Sequence, residues 1–331
     1  MHMADALLSP VVGGAFWIVS GVLIGYSAKK IGQEGDHSRT PLMGVLGAFI
    51  FAAQMINFSI PGTGSSGHLG GGLLLSILLG PYRAFITLAS VLVIQCMFFA
   101  DGGILALGCN IFNLAFFPAF ITYPLIYKKI AGESLQQTRI FGGSIAAAVV
   151  GLLAGASSVI FQTIISGVSE LPFLTFVMFM LPIHTGIGIV EGLVTFAVVS
   201  FVVKASPGML KNNVAVKPDK KVLITFVVMA IITAGVLSLF ASSYPDGLEW
   251  SIEKTSATFT GKFSQIVHGT LQAVQEKIAF LPDYSFKPDA LHGKTPELAA
   301  TSVAGVTGCL IFLFVAIVAA IIVRLKTQKA R

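Results

Sequence analysis

The sequence predicts an all-α polytopic membrane protein, a seven-helix bundle followed by a two-helix C-terminal hairpin module with an external loop. Three observations carry this. Of 331 residues, 55% are hydrophobic and only 11% charged, where a soluble domain would hold about 25% charged residues. Mean hydropathy is +0.86. Apolar runs recur along the chain, and the basic residues collect in the short segments between them.

A helix needs about 20 largely apolar residues to span a bilayer. Spans are therefore expected near 10–28, 41–57, 84–100, 103–127, 140–165, 172–203, 222–241 and 298–323. The stretch LGGGLLLSILLG, residues 69–80, is too short to cross alone unless it borrows from the loop before it or runs short inside the bundle. It is counted as a span because of the charges. With the N-terminus external and the C-terminus cytoplasmic, 16 of the 21 Lys and Arg residues fall on the inner face, and the other five lie in one long external segment. Removing the short span would invert everything after it and break the positive-inside pattern.

Residues 204–221, KASPGMLKNNVAVKPDKK, concentrate Pro, Gly, Asn and Lys between two hydrophobic blocks and predict a cytoplasmic linker. The expected organisation is thus a seven-helix module over 1–203, the linker, and an accessory module over 222–331 with two spans and an external insert at 242–297.

The net charge of +6 forms no continuous stripe, so nucleic acid is not an expected partner and the lipid bilayer is. Cys96, Cys109 and Cys309 lie in or against apolar runs without CxxC spacing, which points to small buried residues. HGKT at 292–295 resembles the end of a phosphate-binding loop, but its first glycine position is Pro288. HExxH, GxSxG and DxDxDG patterns are absent, so no catalytic residue, cofactor or enzymatic activity is expected.

The chain opens MHMADALLSP, with no basic residue before Lys29, unlike a secretory leader. The start is expected to be kept. The Met1 amine, the His2 amide nitrogen and the His2 imidazole can close fused chelate rings on one ion, and planar nitrogen coordination suits Ni(II) or Cu(II). A fourth nitrogen is available from His68 in PGTGSSGHLGGG, on the same predicted face. There the glycines permit close backbone approach, and Thr63, Ser65 and Ser66 are positioned to orient the imidazole. Asn57, at the mouth of that loop, is a further supporting candidate. The plainer alternative is an incidental second-position histidine and a lone loop histidine.

His184 and Glu191 lie two helical turns apart in an apolar run, as a proton-relaying pair or, the favoured reading, as a hydrogen-bonded pair fixing helix packing. Gln54, Gln95, Asn110 and Asn113 suit bonds across helices. His37, His268 and His292 are expected to be solvated.

MHMADALLSP, SSGHLGG, GCNIFNLAF at 108–116 and HTGIGIVEG at 184–192 together resemble the nickel/cobalt substrate-binding component, the CbiM/NikM type, of energy-coupling factor transporters. YPDGLEW at 244–250, with its charged loop and last helix, resembles the small accessory subunit, the CbiN/NikN type, fused to the first. The resemblance implies that Met1, His2 and His68 hold the ion in a plane and that the initiator methionine is retained. It also implies that the chain imports Ni(II) in preference to Co(II) across a prokaryotic plasma membrane. The implied partners are a membrane scaffold subunit, docking mainly on the first helix near Gly13, Gly14, Gly21 and Gly25, and a pair of cytoplasmic ATPases. A stand-alone secondary transporter or channel using His184 and Glu191 is the alternative.

Overall fold

A computed structural model of the chain describes residues 2–35, 38–132, 135–168, 172–210, 219–255, 262–287 and 297–329. It is almost wholly helical. Ser9 and Pro10 start α1 (Pro10–Glu34) with an acceptor on Val12 N and a ring preset for the first turn. α2 (Thr40–Gln54), α3 (Gly72–Leu79), α4 (Pro81–Phe99), α5 (Leu107–Ile130), α6 (Gln137–Ser166) and α7 (Phe173–Ala205) complete the first bundle. α8 (Lys220–Gly235), α9 (Gly247–Thr255), α10 (Lys262–Ile278) and α11 (Glu297–Lys329) follow. Seven of these helices are long and apolar enough to cross a membrane. The protein is a multi-pass membrane protein.

The short span is resolved by a mixed crossing. α3 has 8 residues, about 12 Å of helix, and every one is buried. Gly80 breaks it, and Pro81 starts α4 at once. Arg83, in the first turn of α4, pairs with Glu34 at the far end of α1, which sets that turn on the face opposite the N-terminus. The chain therefore covers the distance from His68 as extended loop followed by helix. Lipid offers no partners for such backbone, so it is tolerable only inside the bundle. There Gln54 Nε2 donates to Gly70 O at 2.8 Å, and Glu191 accepts from Gly70 N and Gly71 N at 2.8 and 3.2 Å.

Residues 2–9 also enter the bundle. Met3 N donates to Asn110 Oδ1 and Met3 O accepts from Gly103 N and Asn110 Nδ2, while Met3, Leu7 and Leu8 are buried. Asn113 and Gln162 exchange amide hydrogen bonds across α5 and α6. α11 packs on α2 and α8, and small residues set how close it comes. A Cβ on Gly47 would stand 2.1 Å from the Phe312 ring, and one on Gly308 2.0 Å from Phe51, so each ring fills the other helix's gap. Large apolar side chains on α1, α8 and α11, such as Val11, Ile18, Ile231, Leu310 and Phe314, remain exposed, as a lipid-facing surface requires.

Candidate metal-binding site

Three backbone devices assemble the site. The inserted N-terminal segment carries His2. A two-stranded antiparallel hairpin, β1 (Phe58–Ile60) with β2 (Ser65–Gly67), presents His68 from the residue after β2. The turn between α4 and α5 supplies Asp101. His2 and His68 meet as stacked rings, with centroids 4.9 Å apart and 7° between their planes.

Each imidazole is oriented through Nδ1. His2 Nδ1 lies 2.9 Å from Asp101 Oδ1, and Tyr284 Oη donates to Asp101 Oδ2 at 2.6 Å. His68 Nδ1 lies 3.1 Å from Leu69 O. A carbonyl only accepts, so His68 carries its proton on Nδ1 and keeps the Nε2 lone pair. His2 Nε2 is buried without a hydrogen-bond partner among the described residues. A carboxylate or carbonyl on one ring nitrogen, with the other left for an ion, is the arrangement that ligating histidines adopt. Burial pushes the His68 imidazole down to about 3, so the ring is neutral at physiological pH. Asp101 is partly buried, and desolvation by itself would raise its carboxyl, but the adjacent His2 outweighs this and holds it below its ordinary range.

A fused chelate through the N-terminus needs His2 Nδ1, and in this arrangement Asp101 holds that nitrogen. Rotation of the ring, or sharing with Asp101, has to accompany such a chelate. Met1 lies outside the described residues, as do His37 and His292. Among the described residues no three His, Cys, Asp or Glu groups converge on one point.

The supporting candidates act mainly on the loop. Thr63 Oγ1 donates to Ile60 O at 2.8 Å and lies 2.9 Å from Ser65 Oγ, closing the hairpin turn. Ser66 Oγ donates to Tyr244 O at 2.8 Å, and Ser66 N donates to Pro245 O at 2.8 Å. The Asn57 carbonyl accepts from Ser242 N at 2.7 Å. His184 Nδ1 lies 2.8 Å from Met180 O, with Nε2 buried and unpartnered among the described residues. Glu191 clamps the loop that bears His68, so the two members of the expected pair have separate partners.

The 242–297 insert contributes what the sequence left unassigned. Tyr244–Asp246 lies against β2, and Asp246 pairs in parallel with Ser66. Asp246 Oδ1 accepts from Leu248 N and Glu249 N at 2.8 Å, capping α9. Its Oδ2 lies 4.0 Å from His68 Nε2. Gly247 is required here, since a Cβ would stand 2.6 Å from Ile183 Cγ2 and 3.3 Å from His184 Cε1. From α10, Gln275 Nε2 donates to Cys96 O and Gly102 O. His268, expected in a solvated loop, sits on α10 and donates from Nε2 to Leu8 O at 2.9 Å. No pattern in the sequence singles out Asp101, Gln275 or Tyr284. Asp246 lay in a quoted motif without a role.

Comparison with known proteins agrees with this architecture. A family described as cobalt uptake substrate-specific transmembrane region, CbiM, matches residues 2–209, and the PDGLE domain matches residues 220–325. A putative fused nickel transport protein NikMN of Archaeoglobus fulgidus is 36% identical over 318 residues, covering 95% of this chain and 96% of that protein. A probable fused nickel transport protein LarMN of Lactiplantibacillus plantarum is 29% identical over 76% of this chain and 78% of its own length. The solved structure of a truncated transition metal transporter superposes with a TM-score of 0.55 at 30% identity, covering 62% of this chain and 99% of that one. The chain belongs to the CbiM family of nickel and cobalt transport components.

Proposed function

We propose that the chain is the substrate-capturing component of an ATP-driven importer of transition-metal ions, Ni(II) first and Co(II) second. The observation that carries this is the meeting of His2 and His68 as stacked imidazoles with centroids 4.9 Å apart. The Met1 amine, the His2 amide nitrogen and the two imidazoles are the proposed ligands, taking the ion from outside. Planar four-nitrogen coordination favours Ni(II) over Co(II), although Cu(II) would bind more tightly still, so supply has to contribute to selectivity. The names of the relatives, nickel and cobalt transport proteins, support the ion class.

The proposed division is a substrate module over 1–203, a linker over 204–221 and a fused accessory module over 222–331. The N-terminus is external and the C-terminus cytoplasmic, on the charge pattern. ATP hydrolysis belongs to separate ATPase subunits, coupled through a membrane scaffold that docks on α1, where Gly14, Gly21 and Gly25 face open space. A stand-alone route through His184 and Glu191 gains no support, because Glu191 is engaged with Gly70 and Gly71 and His184 with Met180.

The test is titration calorimetry of the purified chain with Ni(II) and Co(II), beside a variant with one extra glycine before His2. Loss of tight Ni(II) binding in the variant is expected. Unchanged binding would remove the N-terminus from the site.

A further inference from the structure

Residues 268–284, inside the stretch matched by the PDGLE domain, close over the N-terminal segment and over the turn that carries Asp101. His268 Nε2 donates to Leu8 O at 2.9 Å. Gln275 Nε2 donates to Cys96 O and Gly102 O at 2.9 and 2.7 Å. Phe280 N and Leu281 N share Phe98 O at 3.2 and 3.4 Å. These bonds all end on backbone carbonyls, and they fix the frame of the turn.

Tyr284 differs, because its bond ends on a side chain of the site. Its Oη donates to Asp101 Oδ2 at 2.6 Å, and Asp101 Oδ1 lies 2.9 Å from His2 Nδ1. A carboxylate accepts at both oxygens, so the two donors do not compete for one atom. One side chain thus joins a phenol of the second module to an imidazole of the first. Two further observations show that the phenol is held in place for this contact. Asp283 and Tyr284 both take left-handed backbone, with φ of 48° and 57°, a region that a bulky residue rarely enters and that persists where the surroundings enforce it. The Tyr284 ring is stacked on Phe99, the last residue of α4, with centroids 5.2 Å apart and 24° between the planes.

We propose that Tyr284 is a positioning residue for the metal site, holding the Asp101 carboxylate and through it the His2 imidazole. Docking of residues 268–284 then sets the placement of a donor on the N-terminal segment. This rests on the reading of His2 as a ligand, and it adds no ligand to the four nitrogens. Without the hydroxyl, the carboxylate loses one of its two anchors and the His2 ring is ordered less well before capture. Ordering it on binding costs affinity.

Tyr284→Phe keeps the ring and its stacking and removes only the hydroxyl. The full chain is purified as wild type, Tyr284→Phe, Asp101→Ala, the double variant and His2→Ala. Each is titrated with Ni(II), and thermal midpoints confirm folding. Tyr284→Phe is expected to weaken binding about three- to tenfold, less than the range of about 10–100-fold for a direct partner of a ligating histidine. The double variant is expected to bind as Asp101→Ala does, within about twofold, because a residue that acts through Asp101 has nothing left to act on. A merely structural contribution would instead multiply with the effect of Asp101→Ala. If Tyr284→Phe binds as the wild type does, or if the double variant loses the product of the two single effects, the proposal is overturned. If His2→Ala binds as the wild type does, the assignment of His2 as a ligand fails instead, which separates the two outcomes.

Discussion

His2, from the inserted N-terminal segment, and His68, from the residue after β2, stack with 7° between their ring planes and centroids 4.9 Å apart. The N-terminal segment and the glycine hairpin each supply one imidazole, so the pair exists only where the two segments meet. Loss of either imidazole should therefore be severe. His2→Ala and His68→Ala are each expected to weaken Ni(II) binding at least about 100-fold by calorimetry, while retaining the helical circular dichroism of the wild type.

Asp101 holds His2 Nδ1 and is itself held by Tyr284. Partners of ligating histidines typically contribute about 10–100-fold in metal affinity. Asp101→Asn should weaken Ni(II) binding by that range with little change in thermal midpoint, because the asparagine oxygen still accepts from Tyr284.

Glu191 receives the Gly70 and Gly71 amides inside the bundle. Glu191→Gln presents an N–H group to one of two N–H donors, and an unsatisfied buried group costs about 1–3 kcal/mol. A lower melting temperature and a weaker Ni(II) affinity should appear together, and a variant that melts and binds as the wild type does would show that the clamp does not position the loop.

His68 gives the stability a pH dependence. Burial pushes its folded value down to about 3, below an unfolded value of about 6.5. Between these the unfolded chain binds a proton that the folded chain does not. The contribution is thus fully present above about pH 6.5 and falls by about 1.4 kcal/mol per pH unit as pH drops toward 3. Metal-free His68→Gln should show a shallower loss of thermal stability than the wild type between pH 6.5 and 4.

Gly247 fits against Ile183 and His184 only because it lacks a side chain. Gly247→Ala should displace residues 244–247 from the hairpin and destabilise the chain by about 1–3 kcal/mol, the usual range for overpacking. Faster hydrogen exchange at the Ser66 amide, which donates to Pro245 O, is the specific readout. Unchanged exchange would mean that the contact absorbs a methyl group.

The long helices were legible because lipid leaves the backbone little choice. A span must satisfy its own hydrogen bonds, so runs such as those forming α6 and α7 announce themselves by length and hydropathy. α3 was harder. Its eight residues cross only with the extended segment before them, and what permits that is the support of Gln54 and Glu191, which are distant in sequence from the segment's own pattern. The candidate ligands His2 and His68 were readable as chemistry, from the chelating potential of the first residues and the glycine-rich setting of the loop.

By itself, the sequence determined the membrane architecture, the two hydrophobic blocks and the two imidazoles at the face of the first, since hydropathy, charge bias and donor chemistry are local properties of a chain. Tertiary structure alone decided that the rings stack, that Asp101 occupies His2 Nδ1, that Glu191 serves the His68 loop rather than His184, and that Asp246 arrives from the second module. Those relationships are contacts between segments far apart in sequence, and folding selects them by packing and by the need to pair every buried polar group, a condition that no single segment encodes.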